Sequence, residues 1–140
     1  MCSLQRPLDT KTQLRISVEA EAILGVLALR ESGDIELIGS DVLKFEAERN
    51  PHPVRRRYAF AILSGAEHFV PLDNRVVERA QSFHASGIKL LDALHLASAV
   101  EAKADYFCTC DDKFLKRAKV MDTSQTKVVS PLELITEVTR

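Results

Sequence analysis

Three acidic side chains in this sequence sit where apolar ones are expected, and they are the residues best placed to do chemistry. Glu46 lies in the stretch Asp41–Arg49, where Val42, Leu43 and Phe45 define an apolar helix face at about 100° per residue. Glu46 projects into the middle of that face, whereas Lys44 and Glu48 point the other way. Asp92 interrupts Leu90-Leu91-Asp92-Ala93-Leu94-His95-Leu96-Ala97, which is apolar on almost every side, and His95 follows one turn on. Asp111 ends the apolar run Tyr106–Cys110 and opens a helix, with Asp112 in its first turn.

Each acid has a purely structural explanation. Glu46 can form a buried ion pair with one of Arg55, Arg56 or Arg57, since a carboxylate away from water needs a cation or a raised pKa. Asp92 suits the first turn of a helix, where the dipole favours negative charge, with His95 a satisfied core histidine. Asp111 suits the N-cap position, accepting from free backbone N–H groups. Taken together, three carboxylates converging from two helix faces and a strand end would repel one another, and a divalent cation removes the conflict. Hard oxygen donors with retained water favour Mg²⁺ or Mn²⁺. Such a site generates hydroxide from bound water and stabilises an in-line displacement at phosphorus. Glu46, Asp92 and Asp111 are the expected metal ligands, Asp112 an outer one. Thr109, on the strand face opposite Cys108 and Cys110, offers a hydroxyl to orient a ligand or water.

The basic residues have two readings. Arg55, Arg56 and Arg57 after Pro53 either grip a phosphate backbone or form a solvated helix face. Lys113, Lys116 and Arg117 share one side of the helix that begins at Asp111, close enough to the acids to hold a nucleic-acid substrate, more weakly as salt rises. Cys108 and Cys110 lack a second pair of metal-ligand spacing and read as core. His52, His68 and His84 carry no partner pattern, and no glycine-rich phosphate loop occurs.

These residues ride on alternating elements. Helical periodicity runs from about residue 11 to 31 and stops at Gly33. Ile35–Ile38 read as a strand, and Ser40 caps the helix Asp41–Arg49, which ends before Pro51. A helix over Val54–Leu63, a strand over His68–Pro71 and a helix from Asp73 or Asn74 to Ser86 follow. Leu90–Ala104 form the most apolar helix and Tyr106–Cys110 the clearest strand. Asp111–Lys119 (helix), Lys127–Val129 (strand) and a helix opened by Pro131 complete the chain. Short apolar strands between helices predict an α/β fold with a parallel sheet covered on both faces. Ligands in such folds bind beyond the carboxyl ends of the strands, where the acids fall.

Composition sets the outer limits. With 140 residues, a net charge of −1, 46% hydrophobic and 28% charged residues, the chain is neither disordered nor a cationic coat protein, though a local basic groove fits. The length suits one domain over residues 1–140. Three cysteines make no disulfide framework and suit a reducing cytosol. No run is long enough to span a bilayer, and residues 1–15 lack a secretory core, so a cytoplasmic protein is expected.

The stretch Leu91–Ala99, with its Asp92-Ala93-Leu94-His95-Leu96-Ala97, followed by Ala104–Asp111 with Thr109-Cys110-Asp111, resembles the PIN-domain family of nucleases. Asp92 matches that family's third acid, Asp111 its fourth and Glu46 its second, and Val129–Glu133 is similar to its last strand and helix. The resemblance covers about residues 10–138. It implies a three-layer α/β/α sandwich with a short central parallel sheet, and Mg²⁺- or Mn²⁺-dependent cleavage of RNA. Many bacterial members are toxins of toxin–antitoxin pairs, commonly dimeric and silenced by a cognate antitoxin, so the resemblance adds an antitoxin and a second copy as partners. It also implies a first strand ending in an acid. Met1–Pro7 is similar to the loop after that strand, and Asp9, better explained as a helix-entry residue, does not take the first acid's role. With the first strand missing, its two neighbours are expected to carry unpaired backbone groups. The expectation that follows is a reading frame starting several codons upstream. Rival readings are a catalytically defective PIN scaffold that binds RNA or an antitoxin, and a receiver-like domain with acids at strand ends; Asp92 on a helix face counts against the latter.

Overall fold

Local chemistry sets most of the element boundaries in the computed structural model, which describes residues 2–8 and 14–139. The helix-entry reading of Asp9 and the helix start at residue 11 lie outside the described residues. A short helix, α1 (Cys2–Gln5), and a 3-10 turn (Arg6–Leu8) stand where a loop was expected. The Ser3 hydroxyl anchors this turn by donating to the Cys108 carbonyl at 3.3 Å. Then come α2 (Leu14–Glu31), β1 (Ile38–Ser40), α3 (Asp41–Glu48), α4 (Pro53–Ser64), β2 (His68–Val70) and α5 (Asn74–Ala85). The chain ends with α6 (Leu90–Glu101), β3 (Tyr106–Cys108), α7 (Asp112–Lys119), β4 (Lys127–Val129) and α8 (Pro131–Val138).

Side-chain caps start four of these helices by satisfying N–H groups that have no partner inside the helix. Ser40 accepts from Leu43 N, Asp73 from Val76 N, and Asp111 from Lys113 N and Phe114 N. Ser130 and Glu133 form a reciprocal capping box, with Pro131 in the first turn of α8. Gly33 and Gly87 follow α2 and α5 with φ of 84° and 105°, a left-handed backbone that glycine adopts without a Cβ clash.

The strands pair in parallel, as alternation predicted, but in two separate ribbons. β1 runs beside β2 with Ile38 opposite His68 and Ser40 opposite Val70. β3 runs beside β4 with Tyr106 opposite Lys127 and Cys108 opposite Val129. Among the described residues no strand joins β1 to β3. A cavity of about 1090 Å³ is lined by both ribbons, with Ile38 and Val70 from one and Phe107 and Cys108 from the other.

The strand expected at 35–38 forms instead at 38–40. Tertiary pairing displaces it: Glu67 takes both polar groups of Leu37, its carboxylate accepting from Leu37 N at 2.7 Å and its N–H donating to Leu37 O at 3.0 Å. Phe45 departs in a second way. It is 49% exposed rather than facing the core, with the Arg49 guanidinium 4.4 Å above its ring.

α6 is the pillar of the molecule. Leu96, Ala93 and Ala97 are fully buried, and the helix packs along α5 while touching β1, β2 and β3. Phe107 of β3 meets Phe114 of α7 edge-to-face at 5.6 Å, which fixes α7 beside the same core. α2 packs against α8. α6 thus lies against both ribbons, and the segments after β1 and β3 are where such a fold gathers polar residues.

Candidate active site

Glu46 reaches this region because Ser40, at the end of β1, starts α3 and sets its rotation. The sequence left an arginine as one partner for it. The structure supplies a histidine instead: His95 Nε2 donates to Glu46 Oε2 at 2.6 Å, with side-chain exposures of 7% and 28%. Burial, the largest influence on the Glu46 carboxyl, raises it, but the hydrogen bond from His95 and favourable electrostatics together outweigh burial and hold the group below the usual range. Arg55 and Arg56 are engaged elsewhere. Arg55 donates to Leu8 O at 3.3 Å and Arg56 to Asn50 O at 3.2 Å, while Arg57 is exposed.

Asp92 lies in the first turn of α6, whose N-cap residue Lys89 contributes no side-chain cap. Its carboxyl is pushed above the ordinary aspartate value, first by burial and then by the negative charge of Asp111. Glu46 pushes the same way more weakly, against the attraction of His95 and Lys89. Burial is thus the main cause at Asp92, with Asp111 the nearer like charge and Glu46 the weakest influence.

Asp111 is held by its own helix. Oδ1 accepts from Lys113 N at 3.0 Å and Phe114 N at 3.2 Å, so the cap uses one oxygen and leaves Oδ2. Thr109, 4% exposed, accepts from Asp111 N through Oγ1 at 3.1 Å, and so shapes the turn that carries the acid. Asp112, expected as an outer ligand, turns to Arg15: Nη1 donates to Oδ2 at 2.6 Å and Nη2 to Oδ1 at 2.8 Å. That fork pulls the Asp112 carboxyl below its usual value. Lys113 and Lys116 are exposed on α7, whereas Arg117 donates to Gly87 O at 2.7 Å.

The fit to a dication is divided. Asp92 and Asp111 offer hard oxygens in a field of like charge, which a divalent ion relieves. Glu46 gives Oε2 to His95, and among the described residues no group of three or more His, Cys, Asp or Glu side chains is close enough to hold a metal ion. A ligand role for Glu46 would fall to Oε1, the oxygen that His95 does not take.

Sequence reasoning missed two partners. His95 as the mate of Glu46 had a signal, since both are polar intrusions on apolar helix faces. Arg15 as the mate of Asp112 had none, at a separation of 97 residues.

Among the described residues no helix is long and apolar enough to cross a membrane. Neither a curated protein nor a solved structure matches the chain significantly. A family model does: the PIN domain matches residues 12–120, well over half of the 140 residues, Glu46, Asp92, Asp111 and Asp112 included. PIN domains are nucleases that generally act on RNA with divalent metal ions. The acid-bearing helices and the parallel ribbons that carry them are thus a PIN domain, and the chain belongs to the PIN-domain family.

Proposed function

We propose that this chain is an endoribonuclease that hydrolyses RNA phosphodiester bonds and depends on Mg²⁺ or Mn²⁺. The observation that carries the reading is the PIN-domain match over residues 12–120, supported by the half-buried Asp92, whose carboxyl is pushed up first by burial and then by the charge of Asp111. Asp92 and Asp111 would hold the ion, joined by Glu46 through Oε1 while His95 keeps Oε2. When bound, the ion supplies water activation and charge stabilisation at the phosphate.

The chain's own residues do the rest. Asp111 is pre-set by its cap, so its free oxygen costs little to aim. Thr109 holds the backbone N–H of that acid. His95 keeps Glu46 ionised and stationary. Lys113 and Lys116, exposed beside Asp111, attract the phosphate backbone of a substrate approaching the carboxyl ends of β1 and β3.

A second reading is favoured by the His95–Glu46 bond and the missing three-donor group: a PIN scaffold that binds RNA or a protein partner without cutting. Incubating the purified chain with single-stranded RNA in Mn²⁺ or in EDTA separates the two. Cleavage in Mn²⁺, lost in EDTA and in Asp92→Asn, supports the nuclease. Binding without cleavage supports the scaffold, and neither binding nor cleavage sinks both.

A further inference from the structure

We propose that Arg15 is a positioning residue, a clamp from α2 that fixes the turn between β3 and α7 and thereby aims Asp111, with Asp112 serving the clamp rather than the metal. The inference rests on the metal-binding reading given above.

Arg15 makes three hydrogen bonds to that turn. Two form a fork on Asp112, at 2.6 and 2.8 Å, and the third goes from Nη2 to the Cys110 carbonyl at 3.1 Å. These contacts fall on the residues immediately before and after Asp111. A planar guanidinium fixes both distance and orientation in a way a lysine ammonium does not. The clamp is itself braced. Glu19, one turn further along α2 and only 4% exposed, lies 3.5 Å from Arg15 Nε and 3.3 Å from Arg6 Nε. A charge chain of Arg6, Glu19, Arg15 and Asp112 thus ties the first turns of the protein to the strand end that carries the acid.

Two features point to positioning. The Arg15 and Asp112 side chains are 53% and 60% exposed, and ion pairs that exposed add little to stability. Both Asp112 oxygens are taken up by Arg15, whereas Asp111 keeps Oδ2 outside its cap. A bond set that is weak as a brace but flanks one acid on both sides acts on where that acid points.

The test is Mn²⁺ affinity of the full chain by titration calorimetry, with thermal denaturation alongside. Arg15→Gln and Asp112→Asn are each expected to weaken Mn²⁺ binding about tenfold, the size seen when groups behind metal ligands are lost. The double variant should be no worse than either single one, Arg15→Lys should not rescue, and the melting temperature of Asp112→Asn, which leaves the Arg15–Glu19 pair in place, should move by no more than a degree or two. Asp112→Asn approaches the clamp from its other end, should Arg15→Gln fail to fold. Unchanged or tighter binding in Arg15→Gln, with loss in Asp112→Asn, makes Asp112 a ligand and overturns the proposal. If the wild type takes no Mn²⁺, the metal-binding reading fails by itself. The clamp is then judged by hydrogen exchange at the capped amides of Lys113 and Phe114. Faster exchange in Arg15→Gln supports it, and unchanged exchange overturns it.

Discussion

Replacing Asp92 with asparagine should remove activity and raise stability at once, and the pairing of these outcomes marks a functional acid. Asp92 is held above its ordinary value of 3.8 by burial, by Asp111 and by Glu46, so its ionised form is disfavoured in the fold. A group whose folded pKa is raised makes the folded state bind protons more readily than the unfolded one. Stability therefore falls as pH climbs from 3.8 through the folded value, and above that value the whole penalty is present. Asparagine keeps the shape without the charge. For a partly exposed group, screened by solvent, relief of about 0.5–1 kcal/mol is the expected scale. In a domain of 140 residues that amounts to about 2–4 °C in melting temperature. Thermal denaturation of both proteins at pH 7 and at pH 3 is the assay. The variant should melt higher at pH 7 and level with wild type at pH 3, where Asp92 is already neutral. A variant that melts lower at pH 7, or whose advantage is the same at both pH values, would refute a repulsive acid cluster.

Three further outcomes follow from the same geometry. His95→Ala removes a charge-assisted hydrogen bond of 2.6 Å and part of a buried ring, at a cost of about 2–4 kcal/mol by urea denaturation at pH 7. Because the Glu46 pKa is depressed below 4.5, its contribution is present above that value and lost as pH falls through the folded pKa, so the gap to wild type should narrow at pH 3. Lys113→Ala and Lys116→Ala should each lower the salt slope of single-stranded RNA binding by about 0.7, measured by fluorescence anisotropy across KCl concentrations. A strand-forming peptide rich in valine and isoleucine, added to the chain, should pair with β1 and β3 in the cavity between them and slow amide exchange at Gly39 and Phe107 at least about tenfold. Unchanged exchange would mean that the cavity between the ribbons is not the place of a strand.

What the sequence revealed was local, and what it hid was set at a distance. Ser40, Asp73 and Asp111 were legible as caps because a cap needs only the next three residues. The alternation of strands and helices was legible because parallel strands need long crossovers. The position of β1 was not, because Glu67, some 30 residues on, takes both polar groups of Leu37 and moves the ladder forward. Phe45 was misplaced because helical periodicity says nothing of Arg49 covering an exposed ring. Of the candidate site, the acids were visible as polar intrusions on apolar faces. Their partners were not, since His95 and Arg15 meet Glu46 and Asp112 only through the fold.

The central claim is that Glu46, Asp92 and Asp111 serve one dication together. Mn²⁺ titration followed by electron paramagnetic resonance tests it directly, with Glu46→Gln, Asp92→Asn and Asp111→Asn beside the wild type. The account predicts one bound ion per wild-type chain and a loss of binding in all three variants, Glu46→Gln included. Wild-type affinity in Glu46→Gln would leave that residue to His95 alone and contradict the shared site.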